Sequence, residues 1–189
     1  ALVVSIIGKQ VTEKPLTKPA KSAGDKIIII GETGKDGNDT LYRAGLVSKL
    51  EPAVALFAEE KTTMEATLAA FATGKIKACS DLGAAGIGAA VCESTRFGGL
   101  GARVQLDKVP VNTQDITPEE IFICETQARM LVQVAPQDVD EVLAAIRSKN
   151  GIAAVIGEIT DTDYNFFEYG DKVVATIPNH PSAEMLKEV

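Results

Sequence analysis

Histidine and cysteine are scarce in this chain of 189 residues. The one histidine, His180, nearly excludes a histidine-based catalytic triad or a metal site built from several histidines. The three cysteines, Cys79, Cys92 and Cys124, are scattered and form no Cys-x-x-Cys pair, so we expect neither a disulfide scaffold nor a structural zinc site. This cysteine usage favours a reducing, intracellular setting, and we expect a cytoplasmic protein.

Positive charge, aromatic side chains and long apolar runs are also in short supply. The net charge is −7, the pI is near 4.8 and 5% of the residues are aromatic. An acidic chain without a Lys/Arg run is a poor candidate for binding nucleic acid. Apolar runs such as residues 27–30 are too short for a bilayer, which takes about 20 residues. We therefore expect no nucleic-acid partner and no membrane partner.

What is present is an alternation of strand and helix patterns over a length that suits one domain. This alternation predicts an α/β (or α+β) domain in which helices pack against a mixed sheet. In the first predicted helix, Met64, Leu68 and Phe71 have the spacing of a buried face. Thr117 and Glu120 have the spacing of a capping box around Pro118. The predicted strands are 3–7, 26–30, 75–80, 102–106, 129–134, 153–159, 165–169 and 172–177, and the predicted helices are 60–73, 83–95, one beginning at Thr117, and 137–149.

The segment Gly31-Glu32-Thr33-Gly34-Lys35-Asp36-Gly37 directly follows a predicted strand. Its glycines let the backbone turn and present amides, and Lys35 adds a positive charge, which together suit a phosphate group. The GxxxxGK[ST] spacing of a P-loop is absent. A simple glycine turn at the end of a strand is the alternative interpretation.

The segment Ser80-Asp81-Leu82-Gly83-Ala84-Ala85-Gly86 lies where a predicted strand meets a predicted helix. Small residues there allow a ligand to approach free helix amides, and the Asp81 carboxylate suits Mg²⁺, which prefers oxygen ligands. Alternatively, Asp81 is a helix cap and the glycines permit close packing.

A third segment, Cys124-Glu125-Thr126-Gln127-Ala128-Arg129, joins a predicted helix to a predicted strand. Glu125 and Gln127 offer groups that bind the hydroxyls or amides of a polar substrate. An ordinary surface loop has a similar composition. Cys124 is not expected to be a nucleophile, because the single histidine is remote and no base is implied.

In their order along the chain, these segments resemble the C-terminal-type domain of the aminoimidazole ribonucleotide synthetase superfamily. Within it, the large-subunit family of phosphoribosylformylglycinamidine synthase is the most similar. The resemblance is carried by Thr33-Gly34-Lys35-Asp36-Gly37, by Ser80 to Gly86, by Ile116-Thr117-Pro118-Glu119-Glu120-Ile121, by Cys124 to Met130 and by residues 155–161. The Gly-Ala-Ala-Gly form is similar to the first of that subunit's two homologous halves.

The resemblance implies a three-layer domain, with the mixed sheet between helices, over residues 1–178. It implies that residues 179–189 begin a linker, and that Asn179-His180-Pro181-Ser182 only echoes a motif of another domain. A chain of this length is then a domain of a longer protein, inactive alone, with an ATP-binding N-terminal-type domain, a glutaminase and small accessory subunits as partners.

The implied activity is a ligase reaction of purine biosynthesis that uses formylglycinamide ribonucleotide, ATP and glutamine-derived ammonia. Its products are the amidine, ADP and phosphate. By resemblance, Glu125, Thr126 and Gln127 contact the ribonucleotide, Asp81 binds Mg²⁺, and the loop from Gly34 to Gly37 lies near the substrate phosphate. ATP is implied to bind mainly to the partner domain, and no catalytic residue is expected in this chain.

Some residues depart from the family pattern, and two alternatives stay open. Residues 54–58 stand where the family has a Gly-Asp-Pro segment, and a glutamine that contacts substrate there is replaced by alanine. This favours, as one alternative, a non-catalytic module that binds a metabolite or joins subunits. The other is a different ATP-dependent member of the superfamily, such as a thiamine-phosphate kinase or a selenophosphate synthetase, which the third segment and the Thr117 segment disfavour.

Overall fold

A computed structural model describes residues 7–9, 13, 15–35, 42–45, 48–50 and 56–180 of the chain. The predicted strand 3–7 falls almost entirely outside these residues. The strands are β1 (Lys26–Ile30), β2 (Ile76–Asp81), β3 (Gly101–Gln105), β4 (Met130–Val134), β5 (Ala153–Thr160), β6 (Tyr164–Tyr169) and β7 (Lys172–Pro178). The main helices are α1 (Phe57–Ala72), α2 (Gly86–Gly98), α3 (Pro118–Ile123) and α4 (Val139–Arg147).

The strands form one mixed sheet in the order β2-β4-β1-β5-β3-β6-β7. Neighbouring strands are antiparallel except for β3 and β6, which are parallel. Because β1 and β2 both run antiparallel to β4, Ile30 and Asp81 each pair with Met130. The carboxyl ends of β1 and β2 and the start of β4 therefore meet at one end of the sheet, and the three segments that carry the candidate residues all adjoin it.

Helices cover both faces of the sheet, which confirms the predicted three-layer arrangement. In β1, Ile27 and Ile29 pack in a core cluster with residues of α2 and α3. Ile28 and Ile30 pack in a second cluster with residues of α1 and α4. Successive side chains of a strand point to opposite faces, so the four isoleucines, all fully buried, join the two outer layers to the middle one.

The predicted buried face of α1 is wrong in part. Met64 and Leu68 are 53% and 65% exposed, whereas Ala66 and Ala70 are fully buried. Gly151 explains why the alanines are buried instead of the larger side chains, because a Cβ built on Gly151 would lie 2.3 Å from the Cβ of Ala66. The backbone approaches α1 so closely that only small side chains fit, and the larger ones face away.

Asn179, placed by the sequence at the start of a linker, packs into the fold. It is 3% exposed, and its side-chain oxygen accepts hydrogen bonds from Asn165 Nδ2 at 2.9 Å and from Thr95 Oγ1 at 3.2 Å. Its side-chain nitrogen Nδ2 donates to the carbonyl of Leu100. His180 is exposed. Among the described helices, none is long and apolar enough to cross a membrane.

Candidate functional site

The glycine segment, residues 31–35, leaves β1 and runs beside residues 110–112. The amide of Thr33 donates to the carbonyl of Pro110 at 2.8 Å, and the amide of Asn112 donates to the carbonyl of Thr33 at 3.0 Å. Gly31 has a φ of +102°, which glycine adopts without the steric penalty of a Cβ. Sequence patterns did not single out residues 110–112, because they carry no periodic or motif signal, although they fix the path of the glycine segment.

The Glu125 loop, residues 124–129, holds the glycine segment from the other side. The amide of Gly34 donates to Thr126 Oγ1 at 2.9 Å, and the thiol of Cys124 donates to the carbonyl of Gly34, also at 2.9 Å. Cys124 Sγ and Thr126 Oγ1 lie 3.0 Å apart. Both backbone polar groups of Gly34 are thus engaged within the protein, and the Thr126 hydroxyl oxygen faces the glycine segment.

A buried guanidinium lies beneath these two segments. Arg129 is 2% exposed, and its Nη1 donates to Thr33 Oγ1 at 2.6 Å. Its Nη2 donates to the carbonyl of Cys124 at 2.5 Å, and its Nε donates to the carbonyl of Thr126 at 2.9 Å. Arg129 belonged to the motif that carried the resemblance, but the sequence assigned it no role.

The Gly86 turn, residues 82–86, is the third part of the site. A Cβ built on Gly86 would lie 2.1 Å from the carbonyl oxygen of Cys124, so the turn and the Glu125 loop are in close backbone contact. The amide of Ala85 donates to Glu125 Oε1 at 3.2 Å. Ala85 and Gly86 have φ values of +58° and +52°, which explains why α2 begins at Gly86 rather than at residue 83 as predicted.

Asp81 ends β2 close to this turn, with its side chain 75% exposed. The ammonium of Lys18 lies 4.0 Å from its carboxylate, and within the described residues no cluster of three or more His, Cys, Asp or Glu side chains has the arrangement of a metal site. A single exposed carboxylate fits Mg²⁺ that takes its other ligands from water and a polyphosphate. Burial, and to a smaller extent the Asp81 charge, raises the pKa of Cys79.

The side chains that face outward are Glu125, half-buried, and Gln127, exposed. Gln127 Nε2 donates to the carbonyl of Glu125 at 2.9 Å, which folds the loop back on itself. Lys35 is half-buried at the end of the described glycine segment. Two further candidates, Asp36 and Gly37, lie outside the described residues.

A pocket of about 470 Å³ opens beside the glycine segment. Asn112 links the two, since its side-chain oxygen would be 3.1 Å from a Cβ at Gly34 and the residue also lines the pocket. The pocket wall combines the apolar Val109 and Ile121 with the polar Asp107. Sequence reasoning did not identify this pocket.

The family model described as AIR synthase related protein, C-terminal domain, matches residues 22–170. The chain belongs to this family. The match begins before β1 and ends after β6, so it includes the glycine segment, the Gly86 turn and the Glu125 loop. A PurL subunit of phosphoribosylformylglycinamidine synthase from Methanosarcina mazei is 39% identical over 184 residues, which cover 93% of this chain and 26% of the relative. This AIR synthase related domain thus spans about a quarter of the curated relatives that it matches.

Solved structures of Thermotoga maritima PurL share the fold of this AIR synthase related domain. A complex with FGAR superposes with a TM-score of 0.77 at 31% identity, covering 87% of this chain and 28% of that one. Complexes of the same protein with ADP and ATP have TM-scores of 0.73 and 0.71, and a structure of PurLQS has 0.71 at 30% identity. A thiamine-monophosphate kinase from Stenotrophomonas maltophilia shares the fold alone, with a TM-score of 0.60 at 18% identity.

Proposed function

We propose that this chain is the first C-terminal-type domain of a phosphoribosylformylglycinamidine synthase large subunit. That ligase of purine biosynthesis converts formylglycinamide ribonucleotide, ATP and glutamine-derived ammonia into the amidine, ADP and phosphate. The observation that carries the proposal is the meeting of three separate motif segments at one end of the sheet, in a chain 39% identical to a PurL subunit. A motif order that matches a family and also folds into one site is far more specific than any of its parts.

In this proposal the domain forms the ribonucleotide-binding wall of the active site and does no chemistry alone. Glu125 and Gln127 present carboxylate and amide groups toward the substrate, as their exposure at the loop surface allows. Thr126 contributes from the same loop, and its hydroxyl oxygen also orients Gly34. The loop from Gly34 through Lys35, Asp36 and Gly37 lies near the substrate phosphate, with the Lys35 ammonium as the attracting charge.

ATP and Mg²⁺ enter the proposal through the rest of the protein. An N-terminal-type domain of the same polypeptide makes most of the contacts to ATP. Asp81 supplies one carboxylate oxygen to Mg²⁺. When bound, Mg²⁺ offsets the negative charge of the polyphosphate during phosphoryl transfer. The T. maritima PurL complexes with ADP and ATP support a nucleotide site in the intact protein, and the PurLQS structure supports accessory subunits as partners. We place the assembled enzyme in the cytoplasm.

The full-length protein that contains this chain provides the test. Release of ADP is measured with ATP, ammonia and formylglycinamide ribonucleotide, and then with thiamine phosphate in place of the ribonucleotide. We expect ADP to be released with the ribonucleotide and not with thiamine phosphate. Binding of the ribonucleotide without turnover would instead identify a non-catalytic module, and turnover with thiamine phosphate would identify another member of the superfamily.

Glu125→Ala then tests the assignment of the site. A hydrogen bond to a charged group contributes about 1.5–3 kcal/mol, which corresponds to a rise of about 10- to 150-fold in the KM for the ribonucleotide. Glu119→Ala is the matched control, because Glu119 is an exposed carboxylate on the neighbouring α3. Equal KM values for the two variants would show that Glu125 does not contact the substrate.

A further inference from the structure

We infer that Arg129 is a positioning residue, whose guanidinium holds Glu125 and the glycine segment in the arrangement that binds the substrate. The inference rests on the proposed function for its catalytic consequence, although the contacts that it uses are those of this chain alone. Arg129 is buried and lies beneath the site, so it acts through its neighbours rather than by touching the substrate.

The shape of the guanidinium matches its three acceptors. Its three nitrogens donate to the Thr33 hydroxyl, to the Cys124 carbonyl and to the Thr126 carbonyl at 2.5–2.9 Å. Arginine presents its donors in a rigid planar fork, whereas lysine has one ammonium on a flexible stem. A lysine at this position would therefore keep the charge but could not reach three acceptors on two segments at once.

Glu125 lies between the two residues whose carbonyls accept hydrogen bonds from Arg129. The two carbonyls that accept from Arg129 belong to the residues immediately before and after Glu125. The Cys124 carbonyl lies in the peptide plane that precedes Glu125, and the Thr126 carbonyl lies in the plane one residue further on, between Thr126 and Gln127. Arg129 thus restrains the backbone on both sides of Glu125, and with it the direction in which the Glu125 side chain leaves the backbone. One oxygen of the carboxylate, Oε1, then accepts from the amide of Ala85.

The glycine segment is held by the same group from its other side. Thr33 is fully buried, and its hydroxyl is the acceptor for Nη1 of Arg129. Gly31 leaves space for the arginine stem, because a Cβ there would lie 2.8 Å from Arg129 Cγ. One buried side chain thus sets the distance between the glycine segment, residues 31–35, and the candidate substrate carboxylate of Glu125.

Two substitutions at Thr33 in the full-length protein distinguish loss of the hydroxyl acceptor from a change in side-chain volume. Thr33→Val removes the hydroxyl acceptor and keeps the volume, whereas Thr33→Ser keeps the hydroxyl and removes a methyl group. Arg129→Lys tests the fork directly, and Arg103→Lys is its matched control, because Arg103 on β3 pairs with Glu168 away from the three segments. The readouts are kcat, the separate KM values for ribonucleotide and ATP, and amide hydrogen exchange of residues 33–35 and 124–129.

We expect Thr33→Val and Arg129→Lys to raise the KM for the ribonucleotide at least tenfold while the KM for ATP changes less than twofold. Thr33→Ser and Arg103→Lys should stay within threefold of the unmodified protein. Exchange of the Gly34 amide, which donates to Thr126, should speed up in Thr33→Val and not in Thr33→Ser. If Arg129→Lys fails to fold, the two Thr33 variants carry the comparison.

Two results would overturn the inference. One is equal exchange at Gly34 in the valine and serine variants. The other is a set of variants that lose stability while both KM values stay unchanged, since a purely structural arginine would give that pattern. Hydrogen exchange needs no substrate, so it tests the positioning role independently of turnover. A protein that does not turn over formylglycinamide ribonucleotide would contradict the proposed function but not the positioning role of Arg129.

Discussion

Gly86 offers the sharpest test of how the site is assembled, because the glycines at the two ends of one helix both have a positive φ but differ in the space around them. Gly86 begins α2 and Gly99 follows its end, with φ values of +52° and +67°. A Cβ at Gly99 would meet nothing within 4 Å, whereas a Cβ at Gly86 would lie 2.1 Å from the carbonyl oxygen of Cys124. Substituting each glycine with alanine therefore applies a similar backbone penalty, with and without a steric clash.

The expected magnitudes follow from these two terms. A left-handed φ costs a residue with a Cβ roughly 1–2 kcal/mol, and Ala85 tolerates a φ of +58° in the same turn. Gly99→Ala should thus lower the melting temperature by about 2–8 °C, at about 2–4 °C per kcal/mol for a chain of this size. In Gly86→Ala the new methyl group must displace backbone, which adds about 1–3 kcal/mol. Its melting temperature should fall by about 4–20 °C.

Thermal unfolding followed by circular dichroism measures both variants under identical conditions. We expect Gly86→Ala to be the less stable by at least about 1 kcal/mol, the lower bound of the overpacking cost. Equal melting temperatures would refute the close contact between the Gly86 turn and the Glu125 loop. A fall confined to Gly99→Ala would contradict the assignment of the clash altogether.

Three further predictions test other parts of the fold. Thr117→Ala should destabilise the chain by about 0.5–2 kcal/mol through loss of the cap of α3, and Thr117→Ser should restore most of this in thermal unfolding. Burial, with a smaller effect of the Glu93 charge, raises the pKa of Cys92 to about 11. The rate at which iodoacetamide alkylates Cys92 should therefore be low at pH 8 and increase up to about pH 11. A rate that stops increasing near pH 9 would contradict this. Asn179→Ala should cost about 1–3 kcal/mol because its partners are left unpaired, whereas His180→Ala should stay within about 0.5 kcal/mol; equal losses would contradict the packing of Asn179.

Local signals in the sequence predicted local structure well. The run of residues 26–30 is β-branched apart from Lys26 and is followed by glycine, and β1 has these bounds. The capping box at Thr117 is confirmed, since Thr117 Oγ1 accepts from the Glu120 amide at 3.2 Å and Glu120 Oε2 accepts from the Thr117 amide at 2.7 Å. In both cases the determining groups lie within a few residues of one another.

The features that the sequence did not predict depend on distant parts of the chain. The small-residue face of α1 is set by the approach of Gly151, about 80 residues further along, and periodicity alone favours the larger side chains. The parallel pairing of β3 with β6 has no local signature either. The three candidate segments were grouped by their resemblance to a family, and only the pairing of β1 and β2 with β4 explains physically why they meet.

Within the Glu125 loop, neighbouring residues have different tasks. Cys124 ends α3 with φ −57° and ψ 139°, so the loop from Cys124 onward is not helical. Cys124 and Thr126 bind Gly34, whereas the half-buried Glu125 accepts from the amide of Ala85 and Gln127 is exposed. Substitution of Cys124 should therefore act on stability and on the distance between the segments, and substitution of Gln127 on ligand binding with little change in melting temperature. Thr126 should affect both, since it holds Gly34 and is also proposed to contact the ribonucleotide. A short motif can combine support and recognition because its side chains have different partners.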